Sequence, residues 1–190
     1  MTIEQEIYNV AIENGFTPVS AKFVVAQAKL ESSNFGSNVF KNNNNMFGMK
    51  FVGQSLASRG TLAPSSERRC GGNCDSDYYA KYKTPSDSAK DAIQRLYSKT
   101  MYGVTPQQLK DSTTAEEFAL NLKKRHYYGF QVDPSKWGAE VANYAKNLTY
   151  RLKSVTVQQI VDKAKENKGK ILILGIGLLA ISSYLYFKKK

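Results

Sequence analysis

The chain has 190 residues, a net charge of +11, two cysteines and a single histidine. That length holds one globular domain with a sizeable core and an appendage. The sparse histidine and cysteine exclude a convincing zinc ligand set and leave a Ser-His-Asp or Cys-His centre without support. No metal or cofactor is expected, since no glycine loop stands in the strand–loop–helix setting that cradles phosphate. The charge is uneven: residues 1–149 hold 18 Lys/Arg and 14 Asp/Glu, whereas residues 150–190 hold 9 and 2. An excess gathered beside an apolar run favours anionic lipid head groups over nucleic acid as the partner.

In chain order, Met1 to Gly15 reads as a polar helix with Ile3, Ile7, Val10 and Ala11 on one face. It lacks the basic start and apolar core of a signal peptide. Thr17-Pro18 opens a second helix, with Thr17 as cap and Pro18 in the first turn. Val19, Phe23, Ala26 and Leu30 recur at helical spacing until Ser33-Asn34-Phe35-Gly36. Residues 51–83 are punctuated by glycine and proline. There Asp77 to Lys83 reads as a strand and Cys70-Gly-Gly-Asn-Cys74 as a hairpin turn, with a disulfide bridge as one state of its two thiols. Helices return at 86–97, 114–124 and 135–153. The fold class is α+β: mostly helices, with one small β-lobe inserted after residue 50.

The tail divides into a basic linker over 151–170, an uncharged run over 171–187 and the terminal lysines 188–190. As a helix, the run would span about 25 Å against a hydrocarbon core of about 30 Å. Lys168, Lys170 and the terminal lysines can snorkel to close the difference, and Tyr184, Tyr186 and Phe187 suit an interfacial belt. A single-pass C-terminal anchor in a lipid bilayer is therefore expected.

The chemistry concentrates in Gln27 to Gly36 and Asn42 to Lys50. Glu31 lies in the last turn of a mostly apolar helix, where the negative end of the helix dipole disfavours an ionised carboxylate. Desolvation by apolar neighbours would hold its proton more firmly, which are the conditions of a general acid. The stretch Ala26/Gln27 through Glu31-Ser32 and Gly36, followed by Asn44-Asn45-Met46-Phe47-Gly48-Met49-Lys50, resembles the Ala-x-x-x-Glu-Ser helix end and Asn-Asn-(Leu/Met)-Phe-Gly-(Ile/Met)-Lys motif of the bacterial and phage N-acetylglucosaminidases of the flagellar-hydrolase and autolysin type. Weaker similarity runs through Tyr79–Tyr97, Leu122 to Gly129 and Asp133 to Ala139, so that it covers about residues 1–150.

The resemblance implies a lysozyme-like domain over 1–150 that cleaves the β-1,4 bond after N-acetylglucosamine in peptidoglycan, with Glu31 as proton donor. It implies that Asn44, Asn45 and Phe47 shape the cleft floor. Asn offers both donors and acceptors to sugars, and aromatic faces suit sugar rings. By the same chemistry Tyr127 and Tyr128 are expected on the opposite wall. A second carboxylate, or the substrate's own acetamide, completes such a site. Glu67 is the expected residue, with Asp75 and Asp77 as competitors. A lytic transglycosylase and a catalytically silent wall-binding anchor are the alternatives. A wall-cleaving domain on a membrane anchor is expected at the bacterial inner membrane or in a virion with an internal membrane.

Overall fold

A computed structural model of the chain describes residues 1–129 and 133–153. Helix α1 (Ile3–Glu13) starts where Thr2 accepts the Gln5 N–H, and it buries Ile7, Val10 and Ala11 together with Tyr8. Helix α2 (Pro18–Glu31) starts where Thr17 accepts the Ser20 N–H, with Pro18 in its first turn. The single apolar face expected of α2 is too narrow. Ala21 and residues 23–29 are all buried, whereas Val19 is 44% exposed. A helix enclosed on nearly every side shows no clean stripe, which is why spacing misplaced Val19. Lys29 is tolerated inside because it pairs with Glu4 of α1.

Short helix α3 (Asn38–Asn43) leads to strand β1 (Ala57–Leu62), which pairs antiparallel with β2 (Tyr78–Tyr82). The expected strand over 77–83 is β2, but Cys70–Cys74 does not close a tight hairpin. Residues 63–77 join the strands, with 3-10 turns at Ser65–Glu67 and Asp75–Asp77. The Cys70–Cys74 disulfide is present inside this connection, with Cα atoms 5.7 Å apart. Closing so short a loop contributes about 2 kcal/mol in the chain-entropy account.

Buried Asp77 organises the same connection by accepting the N–H groups of Arg69 (2.6 Å), Cys70 (3.1 Å) and Gly72 (2.6 Å). Burial works against its charge, but the backbone donors outweigh burial and its pKa falls below the usual range. Ligand atoms of Cys70, Cys74 and Asp77 lie within 4.8 Å of one another. Both sulfurs are bonded to each other and the carboxylate is filled by amides, so this cluster is a structural staple. Gly60 permits the tightest contact of the lobe: a Cβ there would overlap Asn43 Oδ1 and lie 2.8 Å from the Tyr79 carbonyl oxygen. Asn43 uses that approach to accept the Thr61 N–H and donate to its hydroxyl, sewing α3 to β1.

The second half holds α4 (Pro85–Tyr97), α5 (Pro106–Lys110), α6 (Ala115–Lys124) and α7 (Gly138–Leu152). Thr84, Thr105 and Thr114 cap the first three through their side chains. Three of these match the expected helices, α7 starting later because 134–136 forms a 3-10 turn. The pieces α3 and α5 are too short for periodicity to reveal. The described residues are mostly helical with one two-stranded sheet. None of their helices is long and apolar enough to cross a membrane. The expected span over 171–187 and its flanking lysines lie outside the described residues.

Candidate active site

At Glu31 α2 ends abruptly. Ser33, Asn34 and Phe35 follow with φ of 52°, 55° and 62°, three consecutive left-handed residues of which none is glycine. Such a run costs several kcal/mol, at roughly 1–2 per residue. Buried Ser32 holds it, donating to the Ala28 carbonyl at 2.6 Å and accepting the Phe35 N–H at 2.9 Å. The turn caps the carbonyls of Ala28, Lys29 and Leu30 and leaves Glu31 at the negative end of its helix.

Glu31 as a residue faces solvent, yet its carboxyl group is desolvated. Desolvation raises its pKa, and hydrogen bonds from Tyr144 and Tyr127 offset only part of that rise. The Tyr144 hydroxyl, delivered by α7, donates to Glu31 Oε1 at 2.9 Å. Both tyrosines are pushed well above their ordinary pKa, first by burial and also by the Glu31 charge, so they stay protonated donors. The arrangement disfavours ionisation of the Glu31 carboxyl while the residue itself stays exposed.

The end of α6 aims Tyr127. His126 adopts φ 57°, its N–H bonds the Lys123 carbonyl, and the Tyr127 N–H reaches back to Leu122. This is a Schellman closure with histidine in the place that glycine favours. Tyr128 stacks on Tyr144 with ring centroids 4.0 Å apart and planes 8° from parallel, while its hydroxyl donates to the Ala119 carbonyl. Behind Glu31, buried Gln27 accepts the Tyr97 hydroxyl. Replacing Tyr144 with Phe removes a donor that favours the carboxylate. The Glu31 pKa should then climb further, because desolvation is less opposed. The alkaline limb of a pH profile of kcat/KM should move up with it.

On the β-lobe, Glu67 receives Lys50 Nζ at 2.7 Å and the Tyr79 hydroxyl at 2.8 Å. The Lys50 bond lowers its pKa most; mild burial opposes that and Tyr79 adds to it. Burial, then the bond to Glu67, pushes Tyr79 up to about 12. The two competitors are engaged differently. Asp75 pairs with Arg59 on the surface, and the Asp77 carboxylate is filled by backbone amides.

Of the expected cleft floor, Asn44 lines an open hollow of about 380 Å³ with Ser55, Ala57 and Lys81, its amide donating to the Tyr82 and Lys83 carbonyls. Asn45 and Phe47 are buried. The Asn45 amide is used up by Met49 and the Ala80 carbonyl, so this pair holds the loop to β2 and presents no polar group to solvent. Sequence reasoning missed Tyr144, Tyr97, and the role of Lys50 beside Glu67. Lys50 closed the asparagine-rich motif, but Tyr144 carried no local signal.

A mostly helical domain with one small two-stranded sheet is the layout of a lysozyme-like fold. The peptidoglycan hydrolase of Sphingomonas sp. A1 is similar in fold, with a TM-score of 0.52 at 20% identity, covering 83% of this chain and 88% of that one. The catalytic domain of the autolysin Auto from Listeria monocytogenes gives 0.49 at 20% identity over 83% and 82%. The glycoside hydrolase domain of Salmonella typhimurium FlgJ gives 0.47 at 17% identity over 90% and 98%. No curated protein matches the chain. The model of the Glucosaminidase family, described as mannosyl-glycoprotein endo-beta-N-acetylglucosaminidase, matches residues 8–156, and the chain belongs to that family. It is a glycoside hydrolase.

Proposed function

We propose that the chain hydrolyses peptidoglycan at the β-1,4 bond following N-acetylglucosamine, with Glu31 as general acid. One observation carries the reading: the Glu31 carboxyl is desolvated and bonded by tyrosine hydroxyls in a chain of the Glucosaminidase family. The fold likeness to a peptidoglycan hydrolase supports the choice of polymer. Glu31 gives its proton to the leaving glycosidic oxygen. Glu67, kept ionised by Lys50 and Tyr79, activates water or balances the cationic transition state. Two carboxyl groups whose surroundings push their pKa values apart are the pattern of an acid and its partner. Asn44, Tyr127 and Tyr128 contact the glycan strand, and Asn45 and Phe47 support the loop beneath it.

Digestion of purified cell wall, followed by mass spectrometry of the fragments, tests the bond. Reducing N-acetylglucosamine ends are expected. Anhydro-muramyl ends would make the protein a lytic transglycosylase, and binding without cleavage would make it a silent wall anchor.

The same proposal includes the tether through residues 171–187, supported by their uncharged length and flanking lysines. The full chain should float with anionic lipid vesicles in alkaline carbonate, and a chain lacking 171–190 should not. The bacterial inner membrane and the internal membrane of a virion are the two places such a tether serves. Fractionation of cells and purified particles separates them.

A further inference from the structure

A basic pocket beside Tyr127 takes no part in the proton chemistry. Its volume is about 240 Å³, and Leu96, Met101 and Tyr127 wall it together with Arg95, Arg125 and His126. Arg125 is only 5% exposed. Its Nη1 donates to the Val104 carbonyl at 3.2 Å and its Nη2 to the Leu96 carbonyl at 2.5 Å. Among the described residues no carboxylate pairs with it. A buried cation without a counter-ion is costly, and two neutral carbonyls leave its charge uncancelled with donors to spare. Arg95 and His126 are exposed at the rim.

The rim also holds one left-handed residue that is not glycine, His126, and its ring neighbour Tyr102 is a second. His126 (φ 57°) meets Tyr102 (φ 50°) edge-on at 4.3 Å between ring centroids. Tyr102 is 68% exposed, so that contact is not a core requirement. Glycine would suit the His126 position better by about 1 kcal/mol, and strain retained at a pocket rim points to work done by the side chain.

We propose that this pocket binds a carboxylate of the peptide stem that the glycan strand carries. The inference rests on the peptidoglycan reading above. The volume falls below the roughly 300–1,000 Å³ of ordinary small-molecule sites, so it takes a single amino-acid residue and not a disaccharide. Leu96 and Met101 receive the apolar part of that residue, and the arginine forks receive its carboxylate. Tyr127 belongs to both places, hydrogen-bonding Glu31 and walling the pocket. The stem is therefore gripped on a sugar next to the scissile bond.

The test compares the affinity of the full chain for two soluble glycan oligomers, one with peptide stems and one stripped of them by an amidase. Hydrogen bonds to a charged group contribute one decade or more, so wild type should prefer the peptide-bearing oligomer by about tenfold or more. Arg95→Gln should lower that preference several-fold and leave affinity for the stripped oligomer unchanged. Arg95 is exposed at the rim, and an unchanged melting temperature in the variant separates the loss from misfolding. Equal binding of both oligomers by wild type, or a preference that Arg95→Gln leaves intact, overturns the pocket and leaves the hydrolase reading standing. Wild type that binds neither oligomer overturns both.

Discussion

Glu31→Gln is expected to lower turnover on purified peptidoglycan by about 10²–10⁴-fold, with affinity for glycan strands nearly unchanged. Glutamine keeps the shape and still accepts the Tyr144 hydroxyl, but it has no proton to give. The same substitution should stabilise the fold, and the sign follows from the raised pKa. A carboxyl group whose folded pKa lies above its unfolded value favours folding most below the unfolded value, and that advantage is lost as pH rises through the folded one. Above the ordinary glutamate range Glu31 therefore works against folding, since the folded protein either holds a desolvated charge or must take up a proton, and glutamine removes that burden. Melting temperatures at about pH 7 should rise in the variant, while at about pH 4 the two proteins should melt together. A variant that melts lower at neutral pH would show that the carboxylate is a structural anchor.

Glu67→Gln should lower turnover on the order of 10²-fold or more with a melting temperature only slightly reduced, because the lowered pKa of this partly exposed carboxylate makes its charge a small stabiliser above the ordinary glutamate range. Its two neighbours separate cleanly from it. Asp75→Asn removes one exposed pair with Arg59, of a kind that contributes about 0–1 kcal/mol, and should leave turnover near wild type. Asp77→Asn withdraws a carboxylate that three backbone amides share, and should loosen the 63–77 connection and lower the melting temperature. Full turnover in the Glu67 variant would remove the second carboxylate from the mechanism and leave that role to the substrate's own acetamide.

How much could be read in advance varies with how local the cause is. Thr17 and Pro18 announce the start of α2 because capping involves only the first turn. Glu31 and the asparagine-rich loop stand close together in the chain, so the motif is visible without any fold. Tyr144 bonds Glu31 across 113 residues of chain, and no spacing rule reaches that far. The left-handed run Ser33-Asn34-Phe35 was equally hidden, since without glycine only the packed Ser32 hydroxyl shows why it is held. Cys70-Gly-Gly-Asn-Cys74 has the composition of a hairpin turn, but it became part of a longer connection because Asp77, outside the five residues, captures their amides. Burial likewise separates Asn45 and Phe47 from Asn44, three neighbours that the motif treats alike.

The most direct test follows the Glu31 carboxyl carbon by NMR as pH is varied, beside kcat/KM on peptidoglycan over the same range. Glu31 should titrate above the ordinary glutamate range, and the alkaline limb of activity should fall at that same pH. A carboxyl that titrates at or below the ordinary value, with activity undiminished above it, would contradict its role as the proton donor.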